Sequence, residues 1–203
     1  MDLAVVTQNF LLYFILPVWL AAGMADWACH RASHIETTTG AKETVIHLLM
    51  LAEMGVPVLA GLLLEINALI LVVMLVAFLV HEATALWDVS YAVSRRKVTP
   101  FEQHVHSFLE MLPLMGLSFV ACLHWPQALA IVGLGPEGAE WGIRLKEQPL
   151  PAAYLVTMLV LIVLFEVLPY VEEFWRGWRA NGGRLVPRRS GHSQAVNTHS
   201  EYG

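Results

Sequence analysis

LLYFILPVWLAAGMADWACHRASH, residues Leu11–His34, begins as an apolar run and ends in acid and imidazole groups four residues apart. The apolar part reaches back to Leu3, so Leu3–Ala25 reads as a helix able to cross the roughly 30 Å hydrocarbon core of a bilayer. Asp26, His30 and His34 continue that helix. Four residues turn a helix by about 400° and advance it about 6 Å, so the three side chains form one nearly straight row. Glu102, His106 and Glu110 repeat the pattern at the start of a later apolar stretch. Two such rows can face each other and close on metal.

Composition agrees with the first span. Of 203 residues, 57% are hydrophobic and 14% charged, where a soluble domain carries about 25% charged residues; the mean hydropathy is +0.58. This is the composition of a membrane protein. Further spans read as Leu48–Leu64, Ala68–Val80, Phe108–Cys122 and Ala152–Leu168, each lengthened by less apolar flanks. The expected fold is therefore all-α, with about five transmembrane helices in one domain over residues 1–180. Four of them form a metal-binding bundle and the fifth packs outside it. The first span lacks the basic leader of a secretory signal and is kept as a mature helix. From Asn181 to Gly203 the chain is polar and reads as a disordered tail.

Five spans put the chain ends on opposite sides of the membrane. Arg31, Lys42, Arg95, Arg96, Lys97 and the arginines after Tyr170 gather on one side, against Arg144 and Lys146 on the other. The positive-inside rule then places the N-terminus outside and the C-terminus in the cytoplasm of a multi-pass protein of the inner (plasma) membrane. Nucleic-acid binding has no support, because the Arg-rich segment after Tyr170 reads as an inner-leaflet anchor.

On this topology every ladder lies at the cytoplasmic end of its helix. Antiparallel matching pairs His34 with Glu102, His30 with His106, and Asp26 with Glu110. The second helix adds Glu43 and His47, one turn apart, and Gly40 caps its start. The third adds His81 and Asp88, seven residues apart on one face with Ala85 between them. Pro100 suits the first turn of the fourth helix. Small residues at Ala22, Gly23, Gly55, Gly61 and Gly116 would let the helices approach closely.

A charge inside a spanning helix costs about 2.5–3.5 kcal/mol on insertion scales, so ten ionisable groups need mutual compensation. Divalent cations supply it, neutralising carboxylates while binding neutral imidazoles. Any one member, such as Asp88 or Glu43, is ordinary near lipid headgroups, and Glu43 and Glu102 sit where a helix dipole favours a carboxylate without metal. Four helices repeating the same chemistry at one depth point to a shared site. The candidate ligands are Asp26, His30, His34, Glu43, His47, His81, Asp88, Glu102, His106 and Glu110. They exceed the needs of one ion and suit two at the roughly 3.5–4 Å of dinuclear sites. Mixed imidazole and carboxylate donors without thiolate favour iron, with manganese and zinc as alternatives.

Other polar residues fall outside the rows. His104 is turned about 160° from Glu102 and His106, Glu53 about 120° from His47, and Glu82 about 100° from His81. Cys29 and Cys122 lie near opposite faces, and so read as packing residues. No phosphate-cradling or serine-hydrolase motif is present.

The chemistry resembles that of the membrane-bound di-iron enzymes of the fatty acid desaturase and hydroxylase type, through the H-x3-H of His30 and His34. The H-x-x-H-H boxes of those enzymes are absent here. The resemblance implies an oxidoreductase that activates dioxygen at a di-iron centre and oxidises an apolar or lipid-like substrate entering from the bilayer. Electrons would come from an external donor protein, since no flavin, nicotinamide or haem motif is visible, and a homo-oligomer is compatible with the sequence. The same ligands also suit a membrane zinc hydrolase or a non-catalytic metal-binding or transport protein.

Overall fold

The computed structural model describes residues 2–188, and among these the regular structure is helical. Five helices are long and apolar enough to cross a membrane: α1 (Leu3–Ala32), α3 (Ala41–Leu63), α4 (Ala68–Val93), α5 (Pro100–Leu123) and α7 (Ala152–Ala180). Two short helices, α2 (Ile35–Thr38) and α6 (Trp125–Ile131), lie in the connections. This is the architecture of a multi-pass membrane protein, as the apolar runs indicated.

Each spanning helix outruns its apolar window because the polar residues beyond it keep the helical period. Thus α1 continues through Asp26 and His30 to Ala32, and α5 starts at Pro100, eight residues before the apolar stretch. Caps fix the starts. Thr99 accepts from the Glu102 N–H while the Glu102 carboxylate accepts from the Thr99 N–H, a reciprocal capping box. Asn67 accepts from the Ile70 N–H at the start of α4. Gly40, at φ 73°, caps α3; a Cβ there would meet the Leu185 carbonyl at 2.6 Å as well as a strained backbone.

Two helices carry a π-helical turn, Leu11–Ile15 in α1 and Val163–Val167 in α7. A proline follows each, Pro17 and Pro169. Lacking an N–H, it cannot bond the carbonyl four residues back, at Tyr13 or Phe165, and the wider turn absorbs the mismatch. In α7 the wide turn holds Glu166, which is buried.

The bundle is divided along its length. Away from the acid and imidazole residues, Ala60, Ile66, Ile70, Leu71 and Met74 form an apolar core against Leu117, Val120 and Ile131. The connection after α6 covers this end, donating from Lys146 N–H to the Leu63 carbonyl and receiving from Glu65 N–H at Arg144. At the other end the buried side chains include acids and imidazoles alongside Ile35 and Ile46.

The fifth spanning helix does not pack outside a four-helix core. Helix α7 lies against α1 and α3, and a Cβ on Gly177 would stand 2.9 Å from the Ala41 nitrogen, so the two backbones touch. Past α7 the chain folds back, and the Leu185 carbonyl accepts from the Lys42 N–H at 2.9 Å. Residues 181–188 of the expected tail are thus seated on the start of α3, and the rest lies outside the described residues. Of the small residues expected at helix contacts, Gly23 faces the Glu166 carboxylate at a separation no Cβ could share, whereas Gly55 and Gly116 face open space.

Candidate metal centre

His30 sits at the middle of the polar end, with no exposure to solvent. Its Nδ1 lies 3.2 Å from Glu173 Oε2. Its Nε2 faces three carboxylates, at 3.5 Å from Asp26 Oδ2, 3.6 Å from Glu102 Oε1 and 3.9 Å from Glu43 Oε1, and hydrogen-bonds to none of them. The His47 ring stacks on it with centroids 4.5 Å apart and planes 10° from parallel. His47 Nε2 in turn lies 3.1 Å from Asp88 Oδ2, while its Nδ1 is 3.8 Å from Glu173 Oε1.

The facing of α1 and α5 is offset from the expected pairing by one turn. Asp26 Oδ1 meets His106 Nε2 at 2.8 Å, and His30 meets Glu102. His34 has left the row. Helix α1 ends at Ala32, and His34 adopts a left-handed backbone (φ 52°) with its side chain in solvent, bonded to Glu36. With the two helices offset along their axes by one turn, His30 takes Glu102 and Asp26 takes His106. Glu110 is left without a partner on α1 and lines a cavity one turn deeper.

Of the ten candidates, the structure brings seven together: Asp26, His30, Glu43, His47, Asp88, Glu102 and His106. His34 and Glu110 do not join them. Neither does His81, which lies two turns below Asp88, with Nδ1 3.9 Å from Glu53 Oε2; Glu53 itself accepts from the Thr84 hydroxyl at 2.8 Å.

Four residues at the centre were not among the candidates. Glu173 spans His30 and His47 and also accepts from the Thr44 hydroxyl at 2.9 Å. The Tyr170 hydroxyl lies 3.3 Å from Asp26 Oδ2, and Glu166 is buried beside Gly23. Glu166, Tyr170 and Glu173 recur at i, i+4 and i+7, the same helical signal that marks the other ladders. Arg96 carried no such signal, being one of three consecutive basic residues in a connection. It reaches inward all the same: Nη2 lies 2.6 Å from Glu43 Oε1 and 2.5 Å from Glu102 Oε1, with Nη1 3.0 Å from Glu102 Oε2. Burial works against its charge, yet the hydrogen bonds to Glu102 and Glu43 outweigh that and hold the guanidinium above its ordinary pKa.

Charge counting defines what the site can do. Asp26, Glu43, Asp88, Glu102 and Glu173 are all buried and Arg96 is the buried guanidinium that faces two of them. With Glu166, also buried, five formal negative charges therefore fall to the three imidazoles and to any bound cation. Two groups bring their donor atoms within 4.8 Å of one another: Asp26, His30, Glu102 and His106, and, sharing His30, the trio His30, Glu43 and His47. A carboxylate on Nδ1 that fixes the ring and leaves Nε2 free toward other ligands is the usual support of a metal-bound histidine. The donor set thus fits a divalent metal ion, on the evidence of an unbonded His30 Nε2 among three carboxylates.

A cavity of about 100 Å³ opens below the cluster, with Asp26, His47, Asp88 and His106 at its polar end and Leu16, Trp19, Met54 and Val58 at its apolar end. Those same four apolar residues also line a second cavity of about 390 Å³ in the other half of the bundle. Comparison of the chain with family models, with curated proteins and with solved structures finds no match in any of the three.

Proposed function

We propose that this is a membrane-embedded metal-dependent oxidoreductase that activates dioxygen and oxidises an apolar or lipid-like molecule. The observation that carries the reading is the environment of His30. In the tautomer whose Nδ1 donates to Glu173, Nε2 presents a lone pair to three carboxylates, a repulsion that a bound cation, or a proton in its absence, relieves.

Two iron ions are the proposed occupants, held by Asp26, His30, Glu102 and His106 and by Glu43 and His47, with Asp88 beside them. Iron would supply the redox chemistry that activates dioxygen. The chain's own residues supply the rest. Glu173 fixes the His30 ring, the Tyr170 hydroxyl and His106 orient the Asp26 carboxylate, and the apolar cavity keeps bulk water from the substrate side. An external electron donor protein would dock at the polar end, whose excess of Lys and Arg favours the cytoplasmic side, in our reading of a plasma membrane.

Elemental analysis and Mössbauer spectra of protein purified from iron-replete cells test the proposal. A coupled iron pair is the expected result. Metal well below one ion per chain would remove the reading, and stoichiometric zinc would replace it with metal-assisted hydrolysis.

A further inference from the structure

Two cations and two aromatic rings at the polar end form a cluster outside the metal centre. Lys42 Nζ lies 4.4 Å from the centroid of the Tyr91 ring and 5.8 Å from that of Trp87, and the Arg95 guanidinium lies 5.5 Å from the same Tyr91 ring. The two charges therefore stand within about 10 Å of one another, no farther than a Debye length at 0.1 M salt. Neither forms an ion pair among the described residues. Glu43 follows Lys42 in the chain, but its carboxylate accepts from Arg96. Lys42 is also the second residue of α3, where the helix dipole disfavours a cation. The ring faces offset part of this crowding. An anion would offset the rest.

Trp87 leads from these cations onto the outer face of α4. It is half exposed, and with Val76, Leu79, Val80, Ala83 and Thr84 it lines a shallow groove of about 450 Å³. These residues recur at helical spacing along one face, and from Val76 to Trp87 they cover about 16 Å, close to half the hydrocarbon core of a bilayer. The Thr84 hydroxyl is committed to Glu53 Oε1 and the Val80 carbonyl, so the groove makes no polar demand of its own.

We propose that this face binds an anionic glycerophospholipid of the leaflet at the polar end, its phosphate between Lys42 and Arg95 and one acyl chain along the groove on α4. Charge complementarity selects the head: a zwitterionic lipid brings an ammonium that the two cations repel, whereas a phosphate esterified to a neutral group does not. The groove selects the source, since a free phosphate would meet the cations and leave α4 uncovered. The site lies on the outside of the bundle and does not depend on the proposed chemistry. It bears on the framework of the centre all the same. The Tyr91 hydroxyl donates to the Thr39 carbonyl at 2.8 Å, immediately before the Gly40 cap of α3, and Asp88 adjoins Trp87 in the chain. A lipid seated here clamps the start of the helix bearing Glu43 and His47 to the end of the helix bearing Asp88.

The test titrates full-length protein, delipidated in neutral detergent, with phosphatidylglycerol or with phosphatidylcholine of the same chains, and counts bound lipid by native mass spectrometry. Phosphatidylglycerol is expected to bind about 10–30-fold more tightly, the contribution of two basic groups at a membrane surface. Lys42→Gln combined with Arg95→Gln should abolish that preference. Lys97→Gln combined with Arg179→Gln removes equal charge from the same end and should leave it essentially unchanged. Phosphatidylglycerol carrying a diazirine in mid-chain should label α4 between Val76 and Trp87 in the parent protein, a readout that stands even where a variant fails to fold. Equal affinity for the two lipids, equal loss in both double variants, or cross-links outside α4 would each overturn the inference. Full competition by inorganic phosphate would overturn it too, since it would mark an anion site without a lipid.

Discussion

His30 Nδ1 and Glu173 Oε2 stand 3.2 Å apart across 143 residues of chain, both buried. The contact joins the first spanning helix to the last and decides which nitrogen of His30 faces the other carboxylates. Glu173→Ala should therefore weaken metal binding about 10–100-fold, with Glu173→Gln intermediate because an amide oxygen still accepts from Nδ1. Chelator competition measures both. Unchanged affinity in Glu173→Ala would mean that His30 is not oriented from α7.

Arg96 hydrogen-bonds two carboxylates, Glu43 and Glu102, that a metal would otherwise share. Arg96→Gln should destabilise the metal-free protein by about 3–5 kcal/mol, the usual cost of leaving buried charges unpaired. Added metal should recover more stability in this variant than in the parent. Thermal melts in detergent, with and without the ion, read both effects; equal recovery in the two proteins would dissociate Arg96 from the metal.

The histidines separate cleanly. His30→Ala and His106→Ala should abolish most metal occupancy, because each supplies a donor to the same group. His34→Ala and His104→Ala should leave it within error, since both side chains face solvent. Metal content after purification at equal yield is the measurement, and a loss on His34→Ala would restore the longer ladder on α1.

Gly23→Ala places a methyl 2.3 Å from Glu166 Oε2. Accommodating it means moving a buried carboxylate in the π-turn of α7, with an expected loss of about 1–3 kcal/mol. Gly116→Ala, which meets nothing within 4 Å, should be close to neutral. Similar melting temperatures for the two variants would contradict the close packing of α1 on α7.

The apolar runs made the five spanning helices legible, and the i, i+4 spacing made Asp26, His30, Glu43, His47, Glu102 and His106 legible as inward rows. Periodicity reports only which residues share a helix face. It does not say how far one helix slides along another, and for this reason the α1–α5 pairing differs by one turn from the antiparallel match. Nor does it say where a helix ends when polar residues sustain the period, and His34 lies beyond such an end. The same spacing marks Glu166, Tyr170 and Glu173, but the position of α7 against α1 and α3 had no local signal.

By itself the sequence determined a membrane-spanning helical bundle with acids and imidazoles at one end, because hydrophobic length and helical period are properties of single segments. Only tertiary structure decided that α7 belongs to the centre, that Arg96 enters it, and that His30 rather than His34 stands at its middle. These depend on axial offset and contact between segments far apart in the chain, which side-chain packing sets and no single helix encodes.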